Sequence, residues 1–78
     1  MIFLIEYDRS QGRIITFQAF KDADRVWAED ARLQLELELN RLGTEREVVL
    51  LEAASEGALR RTHRRYFEDL AELANSPA

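Results

Sequence analysis

Leu33-Gln34-Leu35-Glu36-Leu37-Glu38-Leu39 alternates apolar and polar residues, the pattern of a half-buried strand, yet it holds only good helix formers and no β-branched residue. It runs on without a break from the alanine-containing stretch Trp27–Arg32. Asp22 suits a helix N-cap, Asp24 suits the positive end of the helix dipole, and Gly43, just past Leu42, suits the left-handed residue that ends a helix. Residues 22–42 therefore read as one helix. At about 3.6 residues per turn, Ala28, Ala31, Leu35, Leu39 and Leu42 then form one stripe, with Trp27 towards its flank, while Val26, Leu33 and Leu37 form another on the opposite side. A sheet covers only one of these, so the second stripe must meet either another helix or another chain.

The flanking segments supply the sheet. Ile2–Asp8 and Arg13–Phe20 are rich in β-branched and aromatic residues, and Asp8-Arg9-Ser10-Gln11-Gly12 supplies turn formers, so the two read as a hairpin. Phe3, Ile5 and Tyr7 share one face of the first strand; in the second, Ile15, Phe17 and Ala19 oppose Ile14, Thr16 and Gln18. Glu47–Ala53 carries Val48, Val49, Leu50 and Leu51 in succession, which suits an internal strand. Ser55 is placed to cap a second helix over about 56–74, and Asn75-Ser76-Pro77-Ala78 reads as a frayed tail. The expected fold is α+β, in ββαβα order, with a three-stranded sheet and two helices packed on one face, in a single domain over 1–74. The helix between the second and third strands makes those strands parallel to one another. An edge position for the third strand would offer a further route to pairing with another chain.

Composition narrows the function classes. A chain of 78 residues buries too little surface for large stability. With no cysteine, it lacks disulfides and thiolate metal sites, which leaves oligomerisation as the readiest staple. The apolar start ends at Glu6-Tyr7-Asp8, too soon for a signal peptide or membrane span, so a cytoplasmic protein without a membrane partner is expected. Ten of the eleven basic residues are arginine, a bias expected of GC-rich, bacterial coding. The net charge of -4 makes nucleic acid an unfavourable partner.

Chemistry-bearing residues concentrate in the second helix. Arg60, Arg61, Arg64 and Arg65 share one face, a candidate anion-binding surface, opposed by Leu59, Thr62, His63, Tyr66, Leu70 and Leu73. Their spacing to Glu56, Glu68 and Asp69 also fits ordinary exposed ion pairs. On a helix reaching residue 74, these arginines lie in the N-terminal half and Glu68, Asp69 and Glu72 in the C-terminal half, against the helix dipole. His63 and Tyr66 mark a candidate ligand pocket at a subunit interface; as the sole histidine, His63 reads more readily as a hydrogen-bonded rim residue. Glu6, Asp8 and Glu52, near strand ends, are a weaker candidate carboxylate set. No nucleophile motif, glycine-rich phosphate cradle or metal-ligand spacing is present, so neither cofactor nor catalytic residue is expected.

The stretch Leu51-Glu52-Ala53-Ala54-Ser55, followed by Leu59 and His63, resembles the strand-to-helix junction of small ferredoxin-like proteins that dimerise through their sheets. It is short and carries no specific motif, and the fourth strand of that fold is missing from the reading. The expected function is a homodimeric interaction module, with Val26, Leu33 and Leu37 at the dimer interface. The alternatives are an anion or nucleic-acid binder through the arginines, and a small-molecule site around His63.

Overall fold

The computed structural model describes residues 1–68. Among them, strands β1 (Ile2–Asp8), β2 (Arg13–Phe20) and β3 (Glu47–Glu52) form one sheet in the order β2-β1-β3, with helices α1 (Arg25–Leu42) and α2 (Glu56–Thr62). The α+β class, the ββαβα order and the three-stranded sheet are as the sequence reads. Both outer strands run antiparallel to β1, so β2 and β3 are parallel to one another across it, as the intervening helix requires.

The internal strand is β1, not β3. Every residue from Ile2 to Asp8 is buried, while the side chains of β3 are half-buried or exposed. Burial on both sides of β1 also explains where the helices lie. Ile2, Leu4 and Glu6 face one way and Phe3, Ile5 and Tyr7 the other, and each set needs its own cover. Phe3, Ile5 and Tyr7 pack with Leu59 and Tyr66, joined by Ile14, Phe17, Val49, Leu51 and Phe67. That core lies under α2 and the turn after it. The opposite face is covered by α1, whose Ala28 and Leu39 are buried and whose Arg25 pairs with Glu52 at the end of β3. The two helices therefore sit on opposite faces rather than on one, because a single layer cannot cover a central strand that is apolar on both sides.

The hairpin is set by Asp8. Its Oδ1 accepts from the backbone N of Ser10 at 2.9 Å, from Ser10 Oγ at 2.7 Å and from the backbone N of Gln11 at 3.2 Å. Gly12 follows at φ 65°, the left-handed conformation this turn needs. Further along, Thr16 stands opposite Glu6 but Ile14 stands opposite Tyr7, so Ile15 is an extra residue in a β-bulge. The bulge resets the alternation expected for β2. Ile14 joins Phe17 on the α2 side, and Ile15 is left exposed.

The long helix begins later than its acids suggest. Asp22–Asp24 form a 3-10 turn, and α1 starts at Arg25 without a side-chain cap. Its end is as expected: Gly43 takes φ 67° and its N–H donates to Asn40 O at 3.1 Å, while the Thr44 N–H donates to Leu39 O at 3.0 Å. Ser55 caps α2 by accepting from the Ala58 N–H at 3.1 Å. The expected helix over 56–74 does not hold, because α2 ends at Thr62 and a separate 3-10 turn follows at Arg64–Tyr66. The Thr62 hydroxyl donates back to the carbonyls of Ala58 at 3.0 Å and Leu59 at 3.3 Å, and His63 leaves helical geometry at φ -127°, ψ 52°. The tail at 75–78, together with Asp69, Leu70, Glu72 and Leu73, lies outside the described residues.

Candidate functional site

Most of the exposed large hydrophobic side chains among the described residues lie on α1. Val26 is 76% exposed, Trp27 67%, Leu33 50% and Leu37 53%. Their counterparts Ala28 and Leu39 are buried and Ala31 and Leu35 half-buried, so the two stripes divide as the spacing predicts; the exceptions are Leu42, at 58% exposed, which the sheet does not reach, and Trp27, read as flanking the inner stripe but left exposed. Because α2 lies on the far side of the sheet, it does not cover the outer stripe. Contiguous apolar side chains left at such exposure are a mark of interaction surfaces.

The four arginines do not form one helical face. Arg60 and Arg61 occupy the last turn of α2, and Arg64 and Arg65 belong to the 3-10 turn beyond His63. Arg60 lies 3.7 Å from Glu56 and places its guanidinium 4.5 Å from the centre of the Phe67 ring. Arg64 donates to Glu68 at 2.8 Å. Arg65 donates to the Tyr66 hydroxyl at 2.6 Å, sits 4.1 Å from the centre of that ring, and reaches both carboxylate oxygens of Glu47 at 3.1 Å. The early end of α2 also removes the conflict with the dipole: Glu56 is in the first turn and Arg60 and Arg61 in the last, each at the end that favours its charge.

His63 and Tyr66 are brought together, with ring centres 6.4 Å apart in a stacked arrangement. Tyr66 is buried, and its ring meets Tyr7 edge-on at 5.1 Å. His63 Nδ1 lies 2.9 Å from the Thr62 hydroxyl. Burial first, and then the nearby Glu47 carboxylate, hold the Tyr66 phenol above its ordinary pKa. The hydroxyl thus stays protonated at neutral pH, accepting from Arg65 rather than acting as a base.

A cleft of about 800 Å³ opens on the other face, between the C-terminal half of α1, the β1–β2 turn and the start of β3, where Asp8, Asn40 and Arg46 are among its lining residues. Neither His63 nor Tyr66 lines it. Next to it, the buried Glu6 accepts from the Thr16 hydroxyl at 2.7 Å and lies 3.4 Å from Arg46 Nε. That contact is an ion pair without hydrogen-bond geometry, and Arg46 Nε is otherwise buried and unbonded. Asp8 is occupied by its turn, and Glu52 pairs in register with Ile2 at the far end of β1, so Glu6, Asp8 and Glu52 are not gathered into one site. The charged residue that sequence reading passed over is Glu47, which accepts from Arg9 at 3.0 Å as well as from Arg65. A strand-end acid gives no signal of two arginines arriving from distant turns.

Among the described residues no group of three metal-capable side chains occurs, and no helix is long and apolar enough to cross a membrane. No family model, curated protein or solved structure matches the chain.

Proposed function

We propose that the protein works as a non-catalytic interaction module that self-associates through the outer side of α1, with Val26, Leu33 and Leu37 at the contact. One observation carries this reading: three aliphatic side chains and Trp27 stand at least half exposed along one helix of a small domain. Complete burial of a fully exposed aliphatic side chain contributes about 1.5–3 kcal/mol, and the part of each that is still exposed here leaves roughly half or more of that for a second copy to add to a marginal fold. Anion binding through Arg60, Arg61, Arg64 and Arg65 ranks second, since Arg60, Arg64 and Arg65 each already face a carboxylate.

Sedimentation equilibrium at micromolar concentration tests the proposal. Dimers that dissociate on Leu33→Glu and Leu37→Glu, with the circular dichroism spectrum retained, are the expected result. A wild-type chain that stays monomeric overturns it.

A further inference from the structure

The outer side of α1 specifies a direction as well as a contact. Val26, Asp30, Leu33, Leu37 and Asn40 follow one another at steps of four, three, four and three, the repeat that brings two helices together along a seam. Two-fold symmetry leaves two ways to close that seam. In a parallel pair every seam residue meets its own copy, so two Asp30 carboxylates face each other beside the leucines. Like charges in such a place oppose association.

An antiparallel pair centred on Leu35 gives each residue a different neighbour. Leu33 then packs beside the partner's Leu37, and Val26 reaches the C-terminal end of the partner's α1. Asp30 comes beside the partner's Asn40, whose amide has hydrogens to donate. On one flank Trp27, 67% exposed, comes beside the partner's Arg41, suited to stacking of guanidinium on indole. Arg41 already donates through Nε and Nη2 to Glu38, which fixes its plane and leaves its face open. On the other flank Glu36 approaches its own copy, and Arg32, 3.9 Å away on the same helix, offsets that charge.

We infer that two copies pack α1 against α1 in this antiparallel register, with Asp30 beside the partner's Asn40 and Trp27 beside the partner's Arg41. This deepens the self-association reading and rests on it. The bound occupant is a second copy of the chain, and the assembly is layered symmetrically, with the two α1 helices within, a sheet on either side of them and α2 outside each sheet.

The chain has no cysteine, so introduced thiols report on the register directly. Leu33→Cys and Leu37→Cys chains, mixed and oxidised under native conditions, are expected to give mainly the mixed disulfide, with little cross-linking of either variant alone. Asn40→Lys is expected to tighten the dimer by about twofold to tenfold, since lysine then meets Asp30. Self-disulfides of Leu33→Cys together with weaker association of Asn40→Lys overturn the antiparallel register while leaving self-association in place. Dimers that cross-link at neither position overturn α1 as the contact. A monomer by sedimentation overturns the underlying reading as well.

Discussion

Arg65 Nη2 lies 3.1 Å from both carboxylate oxygens of Glu47, tying the turn after α2 to the first residue of β3. Arg9 reaches the same carboxylate from the hairpin, so one acid joins three segments distant in sequence. Burial works to raise the Glu47 pKa, and the hydrogen bonds from Arg65 and Arg9 overcome it, leaving the group below its ordinary value of 4.5. A carboxylate depressed in the folded state contributes stability that is fully present above its unfolded pKa and is lost as pH falls through the folded one. Asp8 acts in the same sense, its carboxyl held low first by the Ser10 hydroxyl and then by the Gln11 backbone. Thermal stability is therefore expected to hold steady down to about pH 5 and to fall below it. Glu47→Gln lowers stability by about 1 kcal/mol at neutral pH and flattens part of the acid fall, as followed by thermal melts across pH. An unchanged acid limb would show that these contacts contribute nothing.

Leu59 is fully buried between α2 and the sheet, among Phe3, Ile5 and Tyr66. Leu59→Ala leaves a cavity there and is expected to cost about 3 kcal/mol, read from urea titrations of the far-ultraviolet signal.

Gly43 holds φ 67° with nothing within 4 Å of where a Cβ would stand. The cost of Gly43→Ala is thus purely conformational, about 1 kcal/mol, with no steric part. Calorimetry checks this, and a loss several times larger would mean that the end of α1 is packed more closely than its geometry implies.

Ser55→Ala removes the acceptor of the Ala58 N–H and is expected to lower stability by about 1 kcal/mol. Because α2 spans only seven residues, the loss should appear first as faster amide exchange at Ala58 and Leu59 rather than as global unfolding.

Much of the fold was legible because local chemistry and tertiary packing agree. Gly43 and Ser55 each end or begin a helix by their own geometry, and the spacing of Ala28, Leu35 and Leu39 against Leu33 and Leu37 assigns the inner and outer sides of α1 correctly. The differences come from places where the sequence is degenerate. Ile14 and Ile15 are identical in kind, so nothing in their chemistry says which one the bulge expels. Thr62-His63 contains neither proline nor glycine, so a helix ending there carries no breaker signal, and its cause lies in the Thr62 hydroxyl and in the burial of Tyr66 against Tyr7. The run Ile2-Phe3-Leu4-Ile5 is as continuous as the one in β3, and only the strand order shows which is central. Of the site residues, the place of Val26, Leu33 and Leu37 on the side of α1 away from the sheet was readable from periodicity, whereas their exposure depends on α2 crossing to the other face, and the partners of Arg60, Arg64 and Arg65 depend on where the chain turns after His63.

The central place of β1 also orders events in time. Its pairing with β2 closes a tight hairpin, but its other edge must wait for Glu47–Glu52, brought back across the whole of α1. Closing so long a loop is the slower step in refolding, and until it happens Ile2, Leu4 and the unpaired edge of β1 stand open to solvent. The refolding chain is therefore most vulnerable to misassembly before β3 docks, and substitutions that delay α1 formation should raise the yield of aggregate more than those in the hairpin.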